Sequence, residues 1–384
     1  MLAFIKKIRS RLQSHGLGYF ALVARTEIAQ PRFRVTRHIR ALLIPLRRLG
    51  HRGSNGTASW AEDCLQFVYD LSTSPITFDF ASYLAAAEIE RRLRGLAAIN
   101  VIFVMGAVGG VRDETPEYDA AVDAEARLWR VRHLLLPMLD FLPTVRGYAV
   151  CGTRAQAEPL ISSDPAKLYP SDYRVFLPRQ PDKRVIHELA RAGVPIWPMF
   201  RAPAHAQRLV AQFLEREAKG RRAVVITLRN YPYTPQRNSR NQDWLAFADS
   251  LDRTRYAPII VHDSETVMGP PPADFSRHIV FDAASVNLEI RMALYEAAWL
   301  NMALLHGPTE LCWYSERARY LLFIEVGSAA VQSEQALIQN GHRLFADLDF
   351  AKPYQHIVWN VDELESLGRE FAAMETLIDA STVS

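Results

Sequence analysis

The residues best suited by type and spacing to do chemistry are Arg229 and Arg237, eight apart in the stretch AVVITLRNYPYTPQRN at 223–238. A guanidinium is a permanent cation whose planar fork of donors matches phosphate, so two in one loop make an anion site. The alternative is a pair of surface ion pairs. Three further sets are candidates. Asn287, Glu289, Arg291 and Glu296 lie in NLEIRMALYE at 287–296. On a helix their charges either reach a ligand or form an i,i+4 ladder worth a few tenths of a kcal/mol. Gly307, Pro308, Thr309 and Glu310 form the turn HGPTE, with Thr309 the expected N-cap of a following helix whose free N–H groups face an anion. Asp113 and Glu114 follow the glycines Gly106, Gly109 and Gly110. They supply either a general base for an acceptor hydroxyl or ordinary loop acids. The glycine spacing is not the dinucleotide fingerprint.

Elements must deliver these residues to one place. Ala223–Thr227 reads as a strand buried on both faces, ending at Arg229, with a helix opening near Asn241–Asp243. Further strands are expected at 76–80, 98–105, 148–153, 257–261 (ending near Asp263), 278–281, 299–305, 320–325 and 356–359. Helices are expected at 81–96, 119–141, 185–192, 202–219, 287–296 and 361–378, among others. The alternation predicts an α/β chain of two Rossmann-like, doubly wound domains facing a cleft, where ligands sit beyond the carboxyl ends of strands. The expected domains are a basic arm at 1–55, an acceptor domain at 56–219 and a donor domain at 220–384.

Composition narrows the class. Hydrophobic content of 49% and charged content of 23% are those of a globular protein. The three cysteines, Cys64, Cys151 and Cys312, have neither metal nor disulfide-framework spacing, which fits a reducing compartment. No DxD-like pair stands at a strand end, so no metal and no cofactor are expected. The net charge of +3 hides an asymmetry: residues 1–53 hold twelve of the 45 Lys and Arg but one acid, Glu27. Residues 1–17 and 37–48 combine basic and apolar positions in an amphipathic pattern. This arm docks on an anionic membrane, binds nucleic acid, or packs as a solvated hairpin; nucleic acid is disfavoured because no binding motif accompanies the charge. No stretch reads as a transmembrane helix or signal peptide. The expected location is therefore cytoplasmic, peripheral to the inner membrane.

Three segments, ITLRNYPYTPQRN (226–238), FDAASVNLEIRMALYEAAWL (281–300) and HGPTEL (306–311), resemble the fucosyltransferase-like branch of the GT-B type glycosyltransferases, which includes nodulation and protein O-fucosyltransferases. The resemblance covers about a hundred residues of the second half. It implies a transferase moving a sugar from a nucleoside-diphosphate sugar, GDP-sugar favoured, to a glycan or lipid-linked acceptor. Arg229 matches the family arginine that holds the diphosphate, and Arg237 joins it as a catalytic cation. The implied donor contacts are Asn238, Asp263, Asn287, Glu289, Arg291, Glu296, Gly307, Pro308, Thr309 and Glu310. Gly106, Gly109, Gly110, Asp113 and Glu114 fall on the acceptor side. Thr227 stands where the family has His, and no Gly-Asp follows Arg229; a non-catalytic sugar-nucleotide- or glycan-binding protein of the same fold is the alternative.

Overall fold

The computed structural model describes residues 18, 21–31, 33–48, 63–106, 110–267 and 275–383. The expected amphipathic segment 1–17, the break at 50–59 and Gly109 lie outside them. By contacts the chain divides into two units, one of residues 1–75, 90–119 and 144–182, the other of 76–89, 120–143 and 183–384. The division does not follow a boundary at 219/220. Helix Ala204–Ala218 belongs with the second unit because Ala206, Val210 and Phe213 are buried along one side of it, and Phe213 stacks on Phe281 at 3.7 Å.

The first unit holds a parallel sheet of β1 (Cys64–Asp70), β2 (Ala98–Val104), β3 (Val145–Cys151) and β4 (Leu168–Tyr169), in the order β3-β2-β1-β4. β1 and β2 are buried throughout, as parallel strands covered on both faces must be. Helix Phe80–Leu93 connects them. The strand expected at 76–80 is not formed. Thr77 Oγ1 donates to Asp79 Oδ2 at 2.6 Å, and Phe80 and Ala81 N–H already turn back to Thr77 and Phe78 carbonyls. Short polar side chains bonding locally withdraw the backbone from a ladder. The first strand is instead Cys64–Asp70, whose Gln66 and Asp70 interrupt an otherwise apolar run.

The second unit holds β5 (Arg222–Thr227), β6 (Tyr256–Val261), β7 (Ile279–Val280), β8 (Leu300–Leu304), β9 (Tyr320–Phe323) and β10 (Gln355–Val358). All are parallel, in the order β10-β9-β8-β5-β6-β7. The chain thus winds outward from β5 one way and from β8 the other, the doubly wound pattern expected. Trp244, Phe247, Tyr256, Phe323 and Phe371 pack the core between this sheet and helices Asn241–Ser250 and Leu364–Val383. The single helix expected at 119–141 is broken into Pro116–Ala121, Ala124–Arg130, a π turn Val131–Leu135 and two short turns to Phe141. Asp123 caps a new start there, accepting from Ala126 N at 2.8 Å. Pro137 has no N–H to return to the carbonyl four residues earlier, so the regular ladder is interrupted. No described helix is long and apolar enough to cross a membrane.

Candidate functional site

In the second unit the topological switch lies between β5 and β8; Arg229, Arg237 and the turn at 307–310 follow the carboxyl ends of these strands, whereas Glu296 lies at the amino end of the sheet with Arg222, Ala223 and Trp299. Arg229 follows β5. It is 6% exposed and forms no ion pair among the described residues, which removes the surface ion-pair alternative. Both terminal nitrogens of its guanidinium are bonded within its own loop: Nη1 donates to Thr234 O at 3.1 Å and to Asn238 Oδ1, while Nη2 donates to Tyr233 O at 2.6 Å and Thr234 Oγ1 at 3.2 Å. Ser239 closes the loop, its Oγ accepting from Arg229 N at 2.8 Å and its N donating to Arg229 O at 2.9 Å. Arg229 therefore shapes the loop that carries Arg237.

Arg237 is differently employed. Nη2 donates to Leu305 O at 3.1 Å, just beyond β8, but the buried Nε has no hydrogen-bond partner. Burial first, and the neighbouring Arg229 charge second, lower its pKa to about 10, so it stays cationic at neutral pH. His306 is 6% exposed and also half-satisfied. Its Nδ1 lies 2.7 Å from Leu304 O, and Nε2 is buried without a partner. Burial, abetted by Arg229, Arg291 and Arg237, drives its pKa down to about 3. The ring is neutral, the proton sits on Nδ1 facing the carbonyl, and Nε2 presents a lone pair that a ligand hydroxyl would satisfy. A buried unpaired acceptor of this kind costs about 1–3 kcal/mol.

A charged relay adjoins these groups within the same unit. Asp79, 31% exposed, pairs with Lys183 Nζ. Burial would lower the Lys183 pKa, but the neighbouring acids, Asp79 foremost, outweigh it and raise it. Glu310 accepts from Ser82 Oγ at 2.9 Å, and Ser82 in turn accepts from Tyr314 OH at 2.9 Å. Burial, then Asp79, push the Glu310 pKa up to about 8. At neutral pH Glu310 is mainly a neutral acid beside Asp79. Asp79 is thus a partly exposed carboxylate held in place from two sides, and its charge reaches Arg237. Gly307 lets the HGPTE turn close on this region, since a Cβ there would stand 2.9 Å from Phe78.

Other expected candidates have identifiable employment. Thr309 is not a side-chain cap: its Oγ1 donates to His306 O at 2.7 Å. The N–H groups of Thr309 and Glu310 turn back to carbonyls at 306–308, as the loop tightens into a 3-10 turn with Pro308 in it. Asn287 caps helix Leu288–Ala297 through Ile290 N at 2.9 Å. Arg291 is 5% exposed, with Nε on Ala284 O at 2.6 Å. Glu296 accepts from Ala202 N at 3.1 Å and Ser315 Oγ at 2.9 Å. Among the described residues Glu289, Arg291 and Glu296 form no i,i+4 ladder. Asp263 follows β6 and accepts from Asn230 N. In the first unit Gly106 N donates to Gly110 O at 3.0 Å, Asp113 pairs with exposed Arg25 at 2.7 Å, and Glu114 pairs with Arg112. No group of three or more His, Cys, Asp or Glu among the described residues is arranged to hold a metal.

Sequence reasoning missed Asp79, Lys183, Ser82 and Tyr314. The one local signal was Thr77-x-Asp79 just ahead of an Ala-rich helical run, which reads as a helix start; nothing local marks Lys183.

No protein-family model matches the sequence, and no curated protein matches it significantly. Among solved structures, the chain is similar to a glycosyl transferase family 9 protein from Veillonella parvula (10% identity, TM-score 0.43, covering 84% of this chain and 99% of that one). It is also similar to the ADP-heptose LPS heptosyltransferase II of E. coli (10% identity, TM-score 0.48, covering 83% and 100%) and to the wall teichoic acid polymerase TagF (8% identity, TM-score 0.32, covering 91% and 90%). At these scores the likenesses carry no argument about activity; the fold stands on the strand orders given above, and the function on the site.

Proposed function

We propose that this chain is a nucleotide-sugar-dependent glycosyltransferase that needs no metal ion, with a GDP-sugar as its donor and a cell-envelope or polysaccharide glycan, free or lipid-linked, as its acceptor. The observation that carries the reading is the presence, at one switch point, of a partly buried cation whose buried Nε is unspent (Arg237) and a partly exposed carboxylate (Asp79). Group transfer from a diphosphate asks for both. Asp79 takes the proton of the acceptor hydroxyl as its oxygen bonds to the anomeric carbon. The bond from that carbon to the diphosphate oxygen breaks, and the electron pair leaves with the diphosphate. Arg237 meets the growing charge, an interaction worth about 2–4 kcal/mol in the transition state. His306 Nε2 accepts a hydroxyl of the donor. The GDP preference rests on the resemblance of 226–238 to fucosyltransferase-like enzymes. Nucleic acid is not a partner, and the protein works at the cytoplasmic face of the membrane.

Thr227, standing where that family has His, favours a second reading as a non-catalytic sugar-nucleotide-binding protein. A thermal-shift panel of GDP, UDP, ADP, CDP and dTDP, followed by a transfer assay with the matching sugar nucleotide, separates the readings. The proposal expects one nucleotide to stabilise the protein and its sugar to be turned over. Stabilisation without turnover favours the binding protein, and no stabilisation by any nucleotide refutes both.

A further inference from the structure

Helix Arg34–Arg48 of the first unit, RVTRHIRALLIPLRR, contains no acid. Thr36 Oγ1 donates to Glu27 Oε1 at 2.9 Å and Arg47 Nη1 to Phe176 O at 3.3 Å, but the most completely bonded anchor is Arg40. Arg40 is 2% exposed and places all five of its N–H donors: Nε on Asp172 Oδ2 at 3.0 Å, Nη1 on Ile28 O at 3.1 Å and Pro178 O at 2.9 Å, Nη2 on Asp172 O at 3.1 Å and Leu177 O at 2.9 Å. A guanidinium so completely bonded fixes the roll of the helix about its axis. That roll turns Val35, Ile39, Leu42 and Leu46 outward, at 68%, 44%, 67% and 65% exposure. Their spacing of four, three and four makes one stripe along the helix. Arg34, Arg37 and Arg48 are exposed on the rest of the outward surface.

We propose that this face docks on an anionic lipid surface, with the helix lying in the plane of the headgroups, the four aliphatic side chains entering the acyl boundary and the arginines meeting lipid phosphates. The chemistry selects this occupant. Nucleic acid offers nothing to an aliphatic stripe. A second copy of the chain would bring the same arginines face to face, with no acid on the helix to relieve them. A lipid surface supplies apolar depth and negative charge together. The inference is independent of the glycosyltransferase reading.

Co-sedimentation with vesicles of phosphatidylcholine alone, or mixed with phosphatidylglycerol, at low and high salt tests it. The wild-type chain should partition onto the anionic vesicles about tenfold or more better than onto phosphatidylcholine. Leu42→Gln/Leu46→Gln should lose more than about tenfold on the anionic vesicles with an unchanged melting temperature, since both side chains are exposed. Arg34→Gln/Arg37→Gln should lose about fivefold per arginine at low salt and little at high salt. Equal partitioning of wild type and Leu42→Gln/Leu46→Gln overturns the proposal. So does sedimentation velocity showing that the wild type is a dimer which the leucine variant converts to monomer without changing vesicle binding.

Discussion

Each of the two parallel sheets changes winding direction once, between β1 and β4 in the first unit and between β5 and β8 in the second, and each switch point gathers buried charge. In the first, Asp70 ends β1 at 0% exposure. Arg154 takes both its oxygens, at 2.7 and 3.2 Å, Tyr173 OH donates at 2.7 Å, and Ser72 donates from Oγ at 2.6 Å and N at 3.0 Å. The carboxylate is fully met by the protein itself. In the second, Arg237 Nε and His306 Nε2 are buried without partners, and Asp79 remains partly exposed. Topology places both clusters alike, so topology does not decide which one binds. What distinguishes them is how their charges are met: the Asp70 carboxylate is closed by its own neighbours, although Ser74 Oγ beside it is buried without a partner, while in the second the guanidinium of Arg237 itself keeps an unspent donor.

Substitutions should fall on opposite sides of that comparison. The largest effect is expected at Asp79. Asp79→Asn should lower sugar transfer per folded enzyme by about 10²–10⁴-fold in a steady-state assay, beyond the loss of stability that unpairing Lys183 brings. An unchanged rate would remove the open cluster from the chemistry. Next is the closed cluster, where Arg154→Met strands a fully buried carboxylate and should cost about 3–5 kcal/mol in urea unfolding without altering nucleotide affinity of the folded protein. A stability change near zero would mean that Asp70 is not the structural charge described. The smallest effect is a change of slope. The Glu310 pKa is about 8 in the fold against a usual 4.5, so the native state binds the extra proton between these values. Its stabilising contribution is full below about 4.5 and is lost as pH rises through 8. Thermal melts from pH 5 to 9 should therefore fall for the wild type and flatten in Glu310→Gln; parallel profiles would contradict the protonated Glu310.

The parts of this fold that were legible in the sequence are those where one physical signal dominates. Continuous apolar runs bounded by charge marked β2, β5 and β6 to within a residue or two, and the basic asymmetry drew attention to the Arg34–Arg48 helix. β1 was hidden because Gln66 and Asp70 break its apolar run, and each is buried with the help of a long-range bond, to Ser162 N and to Arg154. The site was legible by halves. The Arg229 to Asn238 loop stood out by composition, yet which arginine is bound into the loop and which carries a buried, unpaired Nε depends on where the carbonyls of Tyr233, Thr234 and Leu305 point, which no spacing encodes. Asp79, Lys183 and Glu310 come from three distant segments and meet only through tertiary packing.

Isothermal titration of the stabilising nucleoside diphosphate, and of the corresponding nucleoside, into the wild type and Arg237→Gln tests the open cluster most directly. A charge-assisted hydrogen bond from a partly buried guanidinium predicts that the variant loses about 10–100-fold in affinity for the diphosphate and none for the nucleoside. Equal diphosphate affinity in the two proteins would contradict the assignment of that cation to the leaving group.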